Sequence, residues 1–148
     1  MTNFRKIKRS SNPKKETAWK WFSKYIRLRD AIKTTGDTYF VKCITCGDLL
    51  PIEEMDAGHA ISGRMNAILF NEQLTNAQCQ KCNRYGNGEQ QMYKRIMIDI
   101  YGQDKWDYWQ STKNDPVKYT DFDYTQIAKT YREKVKQLKV GVQPCMRL

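Results

Sequence analysis

The sequence holds a single histidine, His59, and only four prolines among its 148 residues. Any imidazole chemistry therefore falls on one side chain. Acidic residues are also short: sixteen Asp and Glu stand against twenty-six Lys and Arg, a formal net charge of +10. That imbalance disfavours a basic partner and favours an anionic one, nucleic acid above all. No apolar run approaches the roughly 20 residues of a membrane span, and the N-terminus lacks the apolar segment of a secretory signal. The expectation is an intracellular protein with no membrane part. Internal repeats and low-complexity stretches are likewise missing, so the length reads as one compact domain with a modest core.

What the chain does have is five cysteines, four of them in two Cys-x-x-Cys pairs, Cys43-Ile44-Thr45-Cys46 and Cys79-Gln80-Lys81-Cys82. Each pair forms a tight knuckle that offers two thiolates, and two knuckles complete a closed tetrahedral Zn²⁺ site. Two disulfides or two redox motifs are the other readings, but neither a signal peptide nor a βαβ pattern accompanies them. Thiolate use fits a reducing compartment. Cys145 stands apart without a paired partner and reads as a free thiol.

Positive charge is concentrated at one end. Residues 1–33 carry eleven Lys and Arg against two acids, Glu16 and Asp30. Residues 1–15 are polar and basic with no apolar period, and read as a flexible arm. The spacing predicts a basic helix within 16–38. Trp19, Phe22, Tyr25, Ile26, Leu28 and Ile32 recur at three and four on its inner side, with Lys20, Lys24, Arg27 and Lys33 on other faces. Tyr39-Phe40-Val41 and Leu49-Leu50-Pro51-Ile52 predict a small hairpin with the first knuckle at its turn. The stretch 53–76 reads as loop-rich. A helix is predicted from Glu89 to a stop at Gly102, with Met92, Tyr93, Ile96, Met97 and Ile100 inward, and Trp106 and Trp109 form a satellite core. A last helix is predicted over 122–140. Asp121 is its cap, Tyr124, Ile127, Ala128, Tyr131, Val135 and Leu138 face inward, and Lys129, Arg132, Lys134, Lys136 and Lys139 face outward.

Between the knuckles lies Asp56-Ala57-Gly58-His59, and Asn83 follows the last paired cysteine. Phosphodiester hydrolysis needs a base to activate water, a divalent cation at the scissile phosphate and cations to hold the backbone. A neutral imidazole suits the first role near pH 7. Asp56 and Asn83 are oxygen donors of the kind that suit Mg²⁺ or Mn²⁺. The plainer alternatives are a structural histidine, an Asn83 that caps the helix after the knuckle, and an Asp56 that shapes a turn.

The order Cys-x-x-Cys, a central Asp/His cluster, then Cys-x-x-Cys-Asn resembles the HNH, or His-Me finger, nucleases. It is more closely similar to the phage NinG (Rap) family of recombination proteins. The resemblance is carried by Lys20-Trp21-Phe22-Ser23-Lys24-Tyr25-Ile26-Arg27-Leu28-Arg29-Asp30-Ala31, Cys43-x-x-Cys46-Gly47, Asp56-Ala57-Gly58-His59, Phe70-Asn71-Glu72, Gln78-Cys79-x-x-Cys82-Asn83 and Tyr101-Gly102. It spans roughly residues 18–102. It implies an α+β fold with a zinc-braced ββα-metal core over 39–90, the basic N-terminal helix on one side and a C-terminal helical region, 91–148, on the other.

The resemblance further implies a structure-selective endonuclease that cuts branched DNA, including Holliday junctions, and a homodimer, since paired incisions need two active sites. His59 would be the general base. Asn83 and Asp56 would hold the catalytic Mg²⁺ or Mn²⁺, although Gly58 precedes His59 where many HNH proteins have an acid. Glu72 is a competing carboxylate, and Arg64 a phosphate contact. Lys20, Lys24, Arg27, Arg29, Arg64 and Arg84 would grip DNA, and Cys43, Cys46, Cys79 and Cys82 would hold the structural Zn²⁺. A phage-encoded protein of this kind would act in the host cytoplasm. Two other classes stay open: a non-catalytic zinc-containing DNA-binding or recombination-mediator protein, and an RNA-binding zinc ribbon.

Overall fold

A computed structural model describes residues 11–142. Residues 1–10 of the expected arm, and Cys145, lie outside the described residues. Helix α1 runs from Pro13 to Thr35 and forms the spine of the molecule. It starts earlier than expected, because Asn12-Pro13 is a cap rather than a break. The Asn12 side chain accepts from the Lys14 N–H at 3.0 Å, and Pro13 takes the first turn, where no N–H is needed. Pro13 to Lys15 thus belong to the helix and not to an arm. Gly36, at φ 77°, closes the other end with its N–H on the Ile32 carbonyl.

The expected hairpin is present. Strands β1 (Phe40–Lys42) and β2 (Leu49–Pro51) pair antiparallel with Val41 opposite Leu50, and the first knuckle fills the turn. The loop-rich reading of 53–76 is corrected at both ends. β3 (Met55–His59) pairs antiparallel with β4 (Thr75–Cys79), with Met55 opposite Cys79 and His59 opposite Thr75. A short helix, α2 (Asn66–Leu69), lies in the connection. Asp56-Ala57-Gly58 has little intrinsic strand preference. Burial supplies what propensity lacks, since all five residues of β4 are buried against α1 and the first hairpin.

Cys79 ends β4, and the chain turns through a single π turn at Lys81–Tyr85. α3 (Gln90–Tyr101) buries Tyr93 and Met97 but leaves Met92 and Ile100 about half exposed, so its apolar face is narrower than expected. Gly102 then starts a helix the sequence reading did not separate, α4 (Gln103–Thr112). Its Trp106 and Trp109 pack with Tyr93, Met97, Ile61 and Leu74. α5 (Asp121–Gly141) is capped by Thr120, not Asp121. Thr120 and Asp123 form a reciprocal capping box. α5 lies along α1, where Phe22 meets Tyr131 edge-on at 4.9 Å between ring centroids. Tyr124, Tyr131 and Val135 are buried as expected, whereas Lys134 turns inward to an ion pair rather than outward. Among the described residues no helix is long and apolar enough to cross a membrane.

Candidate functional site

The two knuckles converge. Backbone bonds shape the first: the Cys43 N–H reaches the Asp48 carbonyl and the Gly47 N–H the Cys43 carbonyl, both at 2.9 Å. Gly47, at φ 76°, makes that turn possible. The Ile44 N–H on the Ala77 carbonyl at 3.0 Å ties it to β4, which carries the second. The Sγ atoms of Cys43, Cys46, Cys79 and Cys82 all lie within 4.8 Å of one another. A tetrahedral Zn²⁺ with bonds of about 2.3 Å sets its sulfurs roughly 3.8 Å apart, and Cys46 Sγ stands 3.9 Å from Cys79 Sγ. Four cysteines in this arrangement could hold a zinc ion. Burial raises the Cys43 thiol, but N–H donors from Cys46 and Cys79 and the Thr45 hydroxyl outweigh it and bring it down to about 6, so one thiolate is ready at neutral pH. Burial pushes Cys46 up to about 11.

β3 carries Asp56, Ala57 and His59 away from the cysteines, into an open cleft of about 330 Å³. Asp56, His59, Arg64, Asn83, Trp19, Ser23 and Gln90 are among its lining residues. His59 Nε2 lies 3.0 Å from the Leu69 carbonyl oxygen. A carbonyl only accepts, so Nε2 carries the proton and Nδ1 keeps its lone pair. Burial pushes the imidazole below the ordinary histidine value, the charge of Arg64 adds to this, and the Leu69 carbonyl opposes it. The ring is therefore neutral at pH 7. Trp19 stacks on it at 5.3 Å between centroids and 21° between planes, and the Arg64 guanidinium lies 4.4 Å from the Trp19 ring centre. Arg64 holds this pose with a left-handed φ of 51°.

Asp56 is engaged from one side. Arg84 donates Nε and Nη2 to its two oxygens at 2.8 Å each, and Asn83 Nδ2 donates to Oδ2 at 2.9 Å. Burial raises the Asp56 carboxyl, but these bonds and the Arg84 charge more than offset it and hold it below the usual carboxylate range. Below the pair, Gln78 of β4 donates Nε2 to the Gly88 carbonyl at 2.8 Å and to Thr45 Oγ1 at 3.1 Å, bridging the cleft floor to the first knuckle.

Of the residues singled out from sequence, Asp56, His59, Arg64 and Asn83 share the cleft. Glu72 does not line it. Its carboxylate accepts from Lys134 at 2.6 Å and Tyr131 at 2.9 Å, a brace between the chain before β4 and α5. Arg29 is not a free cation either. It bonds the carbonyls of Glu72 and Thr75, Asn76 Oδ1 and Asp30 Oδ1, fastening α1 to β4. Arg84 is held by Asp56. Lys20 is exposed, Arg27 is half-buried on the α1 face beside Ser23, and Lys24 lies over the Trp21 ring at 5.3 Å, away from the cleft. The sequence reading put Trp19 in the core stripe and gave Gln78 no role. No sequence signal marks Trp19, because its spacing is the same as that of its buried neighbours.

The fold and site define a small α+β protein whose two hairpins meet at a four-cysteine cluster, with a His/Asp/Asn cleft on the second. The chain matches the family described as Bacteriophage Lambda NinG protein over residues 2–140, and it belongs to that phage family. No curated protein and no solved structure matches the chain.

Proposed function

We propose that this protein is a metal-dependent endonuclease of the His-Me finger type that cuts branched DNA such as Holliday junctions. The observation that carries the reading is the cleft itself: a neutral His59 with Nε2 committed to Leu69 sits on the same strand as Asp56, whose carboxylate Asn83 meets from the turn that follows β4. The antiparallel pair β3–β4, followed by the π turn at Lys81–Tyr85, supports a hairpin-then-helix reading of the site.

In this reading His59 Nδ1 takes the proton of a water aligned with the scissile phosphorus, and the stacked Trp19 fixes the plane of the ring. Arg64 reaches the phosphate oxygens. The Asp56 carboxylate and the Asn83 side-chain oxygen are the donors that would hold a hard divalent cation, in place of the Arg84 and Asn83 N–H groups that now meet the carboxylate. Mg²⁺ or Mn²⁺ held there would supply charge neutralisation at the leaving 3′ oxygen. Zn²⁺ at the four cysteines braces the hairpins and does no chemistry. Lys20, Lys24 and Arg27 of α1 hold the DNA backbone. Two copies of the chain would place two cleavage sites on one junction. The protein would work in the host cytoplasm.

A second reading, a zinc-braced DNA-binding module without catalysis, draws on the Arg84–Asp56 bridge, which occupies the carboxylate as a purely structural pair would. Cleavage of a labelled four-way junction beside matched linear duplex, with Mg²⁺, Mn²⁺ or EDTA, separates the two. The nuclease reading expects junction cutting that disappears with EDTA and falls about 10²–10⁴-fold in His59→Ala. Junction binding without cutting, equal in both proteins, would establish the binding module instead.

A further inference from the structure

Gln78 is fully buried, yet its Oε1 has no hydrogen-bond partner, alone in this among the buried side-chain polar atoms of the described residues. Turning the carboxamide over is not a remedy, because Oε1 would then face the Gly88 carbonyl now 2.8 Å from Nε2. The orphan is therefore oriented by design of the backbone around it. A buried acceptor left unmet costs on the order of 1–3 kcal/mol and calls for a reason.

The reason lies across the strand pair. A Cβ at Gly58 would collide with Gln78 Oε1, stand 2.9 Å from Gln78 Cβ and 3.2 Å from Asn83 Oδ1. Gly58 thus leaves open a small space into which two amide oxygens face, Gln78 Oε1 and Asn83 Oδ1. Two acceptors gain nothing from each other. Asn83 meanwhile points its NH₂ at Asp56 Oδ2, where a cation would need an oxygen.

We infer that Gln78 is the positioning residue of the Asp56–Asn83 pair. Its orphaned Oε1 receives the Asn83 NH₂ when that amide turns over, which sets Asn83 Oδ1 beside the Asp56 carboxylate as the second donor to a divalent cation. This rests on the reading that Asp56 and Asn83 hold the metal. One half-turn of a side-chain amide satisfies the buried oxygen and converts a donor–acceptor pair into two oxygen ligands. It also explains why glycine occupies the place before His59: any side chain there would fill the space in which the two amides meet.

The test is Mn²⁺ binding by calorimetry and by electron paramagnetic resonance on the full-length, zinc-loaded protein. Gln78→Met keeps the volume and removes the acceptor; it is expected to weaken Mn²⁺ binding about 10–100-fold, as loss of a residue that orients a ligand does. Asn83→Asp offers oxygen at either end and needs no turn, so adding Gln78→Met to it should change Mn²⁺ affinity less than threefold. Wild-type affinity in Gln78→Met would overturn the inference, as would an equal loss in the Asn83→Asp background, which would mean general loosening. If Gln78→Met loses zinc, Gly58→Ala makes the same test from β3, with the same expected loss and the same refutation. Wild-type protein that takes up no Mn²⁺ would instead sink the metal-site reading itself.

Discussion

Arg29 offers a sharp test, because charge patterning and packing assign it opposite jobs. As one of eleven cations in residues 1–33 it reads as a DNA contact. In the structure it donates to Asp30 Oδ1 at 2.8 Å, the Glu72 carbonyl at 2.8 Å, the Thr75 carbonyl at 3.0 Å and Asn76 Oδ1 at 3.1 Å. Arg29→Met keeps the aliphatic stem and removes all four bonds. Asp30, only 6% exposed, would keep the Ala77 N–H at 2.7 Å but lose its cation. Breaking a buried pair from one side costs about 3–5 kcal/mol. The Arg29 side chain is 22% exposed, so water softens the loss toward the lower end. An unfolding entropy of about 2.1 cal/mol/K per residue makes each kcal/mol worth roughly 3 °C in a chain of this size. The expected drop in melting temperature is therefore roughly 10 °C, read by circular dichroism at fixed zinc. DNA affinity measured on the folded protein should keep its salt dependence. Lys20→Met should do the reverse, leaving the melting temperature unchanged and reducing the salt slope by about 1. An Arg29→Met protein that melts within 3 °C of wild type, or that loses salt slope as Lys20→Met does, would refute the bracing role.

Two further expectations follow from the cleft and the cysteine cluster. His59 is held below the ordinary value of 6.5, so the neutral base should persist at mildly acid pH, and the acid limb of kcat/KM should have its midpoint below 6.5. Between the folded and unfolded values the unfolded chain binds the proton more readily, so His59 makes stability rise with pH in that window; a limb at or above 6.5 would contradict the burial argument. If the four cysteines hold zinc, Cys82→Ala should abolish zinc uptake in elemental analysis and melt the β3–β4 hairpin, since metal binding and folding are coupled at such sites, and a folded variant with wild-type zinc content would dismiss the four-cysteine centre.

Much of this architecture can be read from the letters alone. The paired cysteines mark the two knuckles, the periodicity marks α1 and α5, and the β-prone runs around the first pair mark β1 and β2. The second hairpin is harder to see. Ala57 and Gly58 carry no strand signature, and Gly58 is there to leave space rather than to make a turn. Its pairing comes from contact with α1 and β4, which a local window does not contain. The same limit applies to side chains. Asp56 and Glu72 are both carboxylates between the knuckles, but only the register, which sets Asp56 opposite Gln78, decides that one faces the cleft. Trp19 and Phe22 share one apolar stripe, yet Phe22 is wholly buried while Trp19 lies against His59. Asn12-Pro13 carried a legible signal, because Asn before Pro is a helix start as readily as a break.

The clasp between α1 and α5 has a bearing on how the chain is made. Asn12 holds Asp121 at 3.0 Å across 109 positions, and Phe22 packs on Tyr131 from a comparable separation. At synthesis rates of about 5–20 residues per second, α1 waits roughly 5–20 s for that partner. The cysteine module between residues 43 and 82 needs no such wait, since both knuckles emerge well before α5. Metal capture can therefore come first on the ribosome, with α1 resting on β1, β3 and β4 while its aromatic flank faces water. That exposed flank of Phe22, Tyr25 and Trp21 makes the nascent chain most vulnerable to aggregation just before α5 emerges.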